Sequence, residues 1–337
     1  MDGFAAGDFA TKWTIVGVYQ APMVVGTATP RVPGGSYLYN TGAAANTIQQ
    51  AFTATAEIFY GFGLRLMAGV TSWNTSIFSD AAVTCHLVLQ RSAAGFLELR
   101  RGTTTGTILA TGTTAISDDV WHYIEIRATV ADSGGICQVH LDGNATPEID
   151  FTGDTRNAGT SVNIDAVRQS VRNASTVFLT DVYILNTTGA APLNTWLGDV
   201  AVRTLSPSGN GTTSQFVGSD ADSTDNYALV DELPVSTSDW VGSATVGHKD
   251  TYAIADLPAG VQTVYGLAWN ANVAKTDAGD ISAAPVIRSG ATDYVGSTFA
   301  PSTSYVTRQV IYATDPATSA AWTPAGVNAI EAGVQVA

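Results

Sequence analysis

Apolar and polar residues alternate with a period of two along almost the whole chain, and this pattern limits the fold more than any other feature of the sequence. Successive side chains of a strand point to opposite faces, so alternation marks a half-buried strand, whereas an amphipathic helix repeats every three to four residues. Glu57-Ile58-Phe59-Tyr60-Gly61-Phe62-Gly63-Leu64-Arg65-Leu66-Met67 reads as a strand whose two glycines permit a bend or a close neighbour. Further strands are predicted at 83–90, 95–101, 107–111, 121–130, 136–141, 146–151, 161–169 and 176–186. Turn material separates them, including Ser133-Gly134-Gly135, Asp142-Gly143-Asn144 and Arg101-Gly102-Thr103, at the spacing of an antiparallel sandwich.

After residue 188 the polarity rises and a second strand series is predicted at 199–204, 227–230, 250–255, 261–274, 282–288, 292–299 and 304–314, with one short helix at 325–332. Charged residues make up 13% of the 337, about half the usual globular share of roughly 25%. Thr, Ser, Gly and Ala stand in their place, which suits sheet surfaces better than exposed helices. The expectation is an all-β chain of two β-sandwich (jelly-roll) domains. Residues 1–28 form an arm or edge strand, 29–188 the first sandwich, 189–198 a linker and 199–337 a second sandwich for docking or oligomerisation.

Asp and Glu outnumber Lys and Arg by 29 to 15, a net charge of −14 that opposes polyanions unless a local basic patch intervenes. The densest basic cluster, Arg100-Arg101, reads as a strand end facing water, so nucleic acid and anionic membrane are excluded as partners. Met1-Asp2-Gly3-Phe4-Ala5-Ala6-Gly7-Asp8 has neither the basic segment nor the apolar core of a secretory signal, and no run reaches the ~18 apolar residues of a membrane span. Cys85 and Cys137 each share a strand face with Leu or Val and read as buried free thiols, a disulfide between them remaining the alternative.

Residues 121–143 carry the most distinctive pattern: Trp121-His122-Tyr123-Ile124-Glu125-Ile126-Arg127, a glycine turn, then Cys137-Gln138-Val139-His140-Leu141-Asp142-Gly143. This resembles the laminin-G/concanavalin A-like lectin sandwich over about residues 30–186, with Thr180-Asp181-Val182-Tyr183-Ile184 as a closing strand. The resemblance implies that Trp121, Tyr123 and their shared face fill the space between two sheets, and that Asp142-Gly143 supplies the positive φ of a tight turn. In the second half, Asn226-Tyr227-Ala228-Leu229-Val230-Asp231-Glu232, Asp239-Trp240-Val241 and Trp322-Thr323-Pro324-Ala325-Gly326-Val327 resemble structural proteins of tailed bacteriophages. That resemblance implies a non-enzymatic virion component of the decoration, tail or fibre type. Its implied partners are other virion proteins and its own copies, with a trimer preferred.

Two constellations bear on chemistry. Glu148-Ile149-Asp150-Phe151-Thr152-Gly153 is similar to the strand of some concanavalin-like glycoside hydrolases, in which two carboxyls ~5 Å apart act as nucleophile and acid. Here Thr152 and Gly153 stand where the acid should be, so no catalytic residue is assigned. Asp220-Ala221-Asp222-Ser223-Thr224-Asp225-Asn226 offers closely spaced oxygens to a hard cation such as calcium, with Asp220, Asp222 and Asp225 as candidate ligands, against the plainer reading of a polar loop held by Asx turns. No other cofactor is expected.

His86, His122, His140 and His248 lack the H-x-H or H-x-x-x-H spacing of a transition-metal site. No G-x-S-x-G, P-loop or strand-linked G-x-G-x-x-G motif occurs. Trp73, in an expected loop, and Trp240 are the candidates for stacking on a sugar. The virion component is the leading expectation. A lectin-like carbohydrate-binding module, on a virion or facing a host-surface glycan, is the alternative. A polysaccharide depolymerase would need a carboxylate pair assembled from separate strands.

Overall fold

The computed structural model describes residues 13–16, 23–42, 46–70, 73–171 and 176–337, and the chain divides into two compact units between Val202 and Arg203. Both are built almost wholly of antiparallel strands. Among the described residues no helix is long and apolar enough to cross a membrane.

The first unit has two seven-stranded sheets. One runs in the order β1 (Thr14–Val16), β4 (Asn46–Thr55), β13 (Ile164–Val171), β6 (Asn74–Ser79), β7 (Thr84–Arg91), β8 (Phe96–Arg101) and β9 (Ile108–Ala115). The other runs β12 (Ile149–Gly153), β11 (Gly135–Leu141), β10 (Trp121–Thr129), β5 (Glu57–Leu66), β14 (Val177–Asn186), β3 (Tyr37–Asn40) and β2 (Met23–Gly26). The short strands β1 and β2 each lie at one edge; residues 1–12 and 17–22, part of the region expected to be an arm or edge strand, lie outside the described residues.

The core lies between the sheets. Tyr60, Phe62 and Leu64 of β5 pair across with Ile126, Ile124 and His122 of β10, and the apolar members of this set are fully buried. Gln169 of the opposite sheet donates to the Tyr60 hydroxyl at 2.6 Å, and Trp73 packs 5.9 Å from Phe62. Burial of each large apolar side chain contributes about 1.5–3 kcal/mol, enough to set the strand register, because a one-residue slip would turn the set outward. Cys85 and Cys137 are both free thiols; Cys137 is fully buried, and burial raises its pKa to about 12.

Several expectations are corrected. Trp121 and Tyr123 do not fill the space between the sheets: register places them with Arg65 and Gly63 on the opposite face from Tyr60 and Phe62. Both faces of β10 are largely buried, so alternation could not tell inside from outside. Residues 189–198 are not a free linker but fold onto the first unit, where Trp196 packs 5.2 Å from Phe59 and Leu197 is buried. Residues 199–204 form no strand. The strands β3, β4 and β6 escape the pattern, β4 because Ile48 and Phe52 are its only large apolar residues among Asn, Thr, Gln and Ala.

In the second unit, β15 (Pro207–Ser214), β18 (Lys249–Ile254), β23 (Glu331–Val336), β20 (Ala283–Ser289) and β21 (Thr292–Val295) form a five-stranded sheet. Two ribbons accompany it: β16 (Val217–Gly218) with β17 (Val241–Gly242), and β19 (Leu267–Val273) with β22 (Val306–Tyr312). The core of Trp269, Ile287, Trp322, Val327 and Ile330 joins the second ribbon to the sheet, and the Trp269 indole donates to the Gly333 carbonyl at 3.0 Å.

The helix expected at 325–332 is a single turn, α1 (Pro324–Val327), capped by Thr323, whose hydroxyl accepts from Gly326 N at 3.0 Å. Glu331–Val336 instead pairs on both sides, with β18 and β20, and these ladders override its helix-forming Ala and Glu. The strand expected at 227–230 is a 3-10 turn over Asn226–Leu229.

Candidate functional site

On the outer face of the β12–β2 sheet, β5 presents Phe59, Gly61, Gly63 and Arg65. The two glycines serve close approach. A Cβ at Gly61 would clash with the Tyr183 ring, and one at Gly63 would lie 2.7 Å from Thr180 Cγ2 and 3.0 Å from Arg31 Cδ. Side chains from β14 and from the segment carrying Arg31 therefore lie directly on the strand backbone.

Toward the β2 edge these outward residues make an aromatic platform. Tyr37 packs edge-on against Phe178 at 5.3 Å and tilted against Trp121 at 5.9 Å, and Tyr39 lies 5.8 Å from Phe178. Tyr37 and Phe178 are buried, while Tyr39 and Trp121 remain half-exposed. Arg65 lies over the Phe178 ring at 5.2 Å, and its Nε donates to exposed Asp119 at 2.8 Å. Thr29 holds both parts: its carbonyl accepts from the Trp121 indole at 3.0 Å and its hydroxyl from Arg65 at 2.6 Å. The result is two fixed ring surfaces beside a guanidinium and a carboxylate. Such a surface can take the apolar face of a ring-shaped ligand on the aromatics and its hydroxyls on the charges.

The centre of the same face is closed by residues 196–202. Arg31 bridges Asp181, at 2.7 Å, to Asp199 and to the Val200 carbonyl, and lies 4.7 Å above the Tyr123 ring. Burial pulls the Arg31 pKa down, but Asp181 and Asp199 more than offset this and hold it above its ordinary value. Buried Asp181 also accepts from Val202 N at 2.8 Å. Buried Glu125 accepts from the Tyr183 hydroxyl and from Gly198 N. Burial, with Tyr183 and Glu125 nearby, pushes the Tyr123 hydroxyl well above its ordinary pKa, so it donates, here to the Asp181 carbonyl at 3.2 Å.

Among the residues singled out from sequence, Trp73 is not in an exposed loop but fully buried between the sheets, where no ligand reaches it. Trp240 is 44% exposed at the start of the β16–β17 ribbon. Asp220, Asp222 and Asp225 do not converge. Asp222 accepts from Thr224 N at 2.7 Å, Asp225 from Asn210 at 3.2 Å, and Asp220 from Asp222 N at 3.3 Å. Among the described residues no three His, Cys, Asp or Glu side chains form a metal-binding group.

Glu148 reaches across to the edge of the other sheet, where its carboxylate accepts from the backbone N–H groups of Thr113 and Thr114 and from the Thr114 hydroxyl. Asp150 accepts from Gln138 at 2.9 Å. His86 Nδ1 accepts from Asn157 N at 3.2 Å, so its Nε2 carries the proton and donates to Ser79 at 2.7 Å, the wrong polarity for activating a serine. The phage-like motifs serve packing: Asn226 is buried, and Trp322 and Val327 belong to the core.

Sequence reading missed the Trp121 platform. The face of Trp121 was assigned inward, and Tyr37 and Tyr39, alternating on β3, lie on a strand the pattern did not reveal.

No protein-family model and no curated protein matches the chain. Solved structures with a similar arrangement include a sialidase, at 13% identity and a TM-score of 0.39, covering 53% of this chain and 17% of the sialidase. The carbohydrate-binding module CBM66 from Bacillus subtilis matches at 14% identity and 0.34, over 52% of this chain and 95% of the module. Cellulose induced protein Cip1 matches at 15% and 0.41, over 56% of this chain and 99% of that one. The chain thus spans about a sixth of the sialidase. At TM-scores below 0.5 these likenesses carry no information about ligand or activity.

Proposed function

We propose that the first unit is a carbohydrate-binding module and that the chain acts by binding, without catalysis. The observation that carries this reading is the platform of half-exposed Trp121 and Tyr39, held rigid by Tyr37, Phe178 and Thr29 beside Arg65 and Asp119. Pre-ordered rings lose little conformational entropy on binding, and the adjacent charges give direction to a polyhydroxylated ligand. Three carboxylates of the same unit fit binding better than hydrolysis: Glu125 and Asp181 are buried under donors, and Glu148 is committed to holding two sheet edges together.

Affinity electrophoresis against a panel of plant and microbial polysaccharides tests the proposal. At least one polysaccharide is expected to retard the protein. Trp121→Ala should weaken that retardation by about tenfold or more, the cost of one large aromatic contact. Trp240→Ala, in the other unit, should not change it. Retardation by none of the panel, or undiminished retardation of Trp121→Ala, would overturn it.

A further inference from the structure

Strand register puts the platform residues into a line. Trp121 of β10 pairs directly with Arg65 of β5, Arg65 with Phe178 of β14, and Phe178 with Tyr39 of β3. Directly paired residues share a face, so these side chains form one row that runs across the strands. Its ends are separated by three strand spacings of about 4.8 Å each, which sets Trp121 and Tyr39 about 14 Å apart at the backbone.

The row is filled in the middle and open at its ends. Phe178 is buried beneath the Arg65 guanidinium, which lies 5.2 Å from its ring centre. Buried Tyr37 packs against both terminal rings, 5.9 Å from Trp121 and 5.7 Å from Tyr39, and lies down on Gly26 of β2, where a Cβ would overlap its ring. Trp121 and Tyr39 are both half-exposed and make no ring contact with each other. Trp121 opens β10, and the β11 ladder joins that strand only at Ile124. At the other end Tyr39 pairs with Val24 of the edge strand β2. No strand of the sheet stands beyond either end of the row.

We infer, on the reading that the first unit binds carbohydrate, that its ligand is an internal stretch of a linear polysaccharide laid across the strands. One sugar stacks on Trp121 and another, further along the same chain, stacks on Tyr39. A single sugar ring covers one aromatic ring and cannot reach two that are held apart by a third. The stretch between them passes over Arg65, the polar group of the row, which Asp119 and Thr29 hold in place. Two contacts joined by one chain add their effects, so affinity climbs with ligand length until both rings are covered. A site for a single sugar would instead gather its groups around one ring.

Calorimetric titration of the full chain with mono- to hexasaccharide series cut from cellulose, xylan, mannan and laminarin tests the inference. In a series that binds, Kd should fall by about tenfold or more from the shortest ligand to the length that covers both rings, then level off. Tyr39→Ile keeps a strand-forming apolar residue on β3 and removes the ring. With its Tm unchanged, this variant should bind the longest ligand about tenfold more weakly and lose the dependence on length. Tyr39→Phe, which retains the ring, should behave as the native chain. Equal Kd values for the shortest and longest ligands, an undiminished length dependence in folded Tyr39→Ile, or binding of none of the series would overturn the inference. If Trp121→Ala still weakens retardation by a polysaccharide in any of these cases, the carbohydrate-binding reading stands and only the extended ligand is lost.

Discussion

Glu148 carries an edge-to-edge clamp on one side chain. Sheet edges expose unpaired N–H groups, and this carboxylate covers those of Thr113 and Thr114 at the open edge of β9. Burial alone would raise its pKa, but the donors on Thr114 and Thr113 more than offset this and hold it below the ordinary glutamate value. A depressed folded-state pKa contributes stability above the unfolded pKa of about 4.3, lost as pH falls through the folded value. Glu148→Ala should therefore cost on the order of 1 kcal/mol at pH 7, the low end for a charged acceptor because the carboxylate is half in water. The cost should vanish near pH 2 in urea unfolding. An equal cost at both pH values would show that packing, not charge, does the work. In sequence, Glu148 was legible as a strand carboxylate lacking its catalytic partner, but the Thr113 and Thr114 backbone it serves lies 34–35 residues away on the other sheet, beyond any local pattern. Trp73 and Trp121 show the same gap: both are tryptophans in polar surroundings, and only the pairing of distant strands decides which is core and which is surface.

At the scale of elements, the segment 189–202 changes most between sequence and structure. Its Gly, Ala, Pro, Asn and Thr read as a linker, yet Trp196, Leu197 and Asp199 anchor it across the outer face of β5, β10 and β14. Arg31 is the keystone, since it joins Asp199 of the segment to buried Asp181 of β14. Removing one partner of a buried pair leaves the other charge uncompensated. Arg31→Ala should destabilise the first unit by about 3–5 kcal/mol in urea unfolding, against about 1 kcal/mol for exposed pairs. A loss below 1 kcal/mol would mean that the segment is held by its apolar anchors alone. Strong alternation made β5, β7, β10, β11 and β14 legible to within a few residues. It failed where most positions of a strand are Thr, Gln, Asn or Ala, as in β4, and where pairing overrides propensity, as in Glu331–Val336.

For the whole molecule, composition and turn spacing were sufficient for an all-β chain of two sandwich-type units, with a boundary that moved from the region 189–198 to Val202 once the closing segment was placed. Motifs in the second half that resemble phage proteins turn out to hold its core and its acidic loop, so they speak to fold before role. The functional reading rests on the first unit, where a sheet buried on one face keeps an aromatic and charged rim on the other. The indole N–H signals of the seven tryptophans in an NMR spectrum test that reading most directly, in a titration with oligosaccharides from a polysaccharide that retards the protein. The Trp121 signal should shift progressively, while those of buried Trp73, Trp269 and Trp322 stay fixed. A shift confined to Trp240, or no indole shift at saturating sugar, would contradict it.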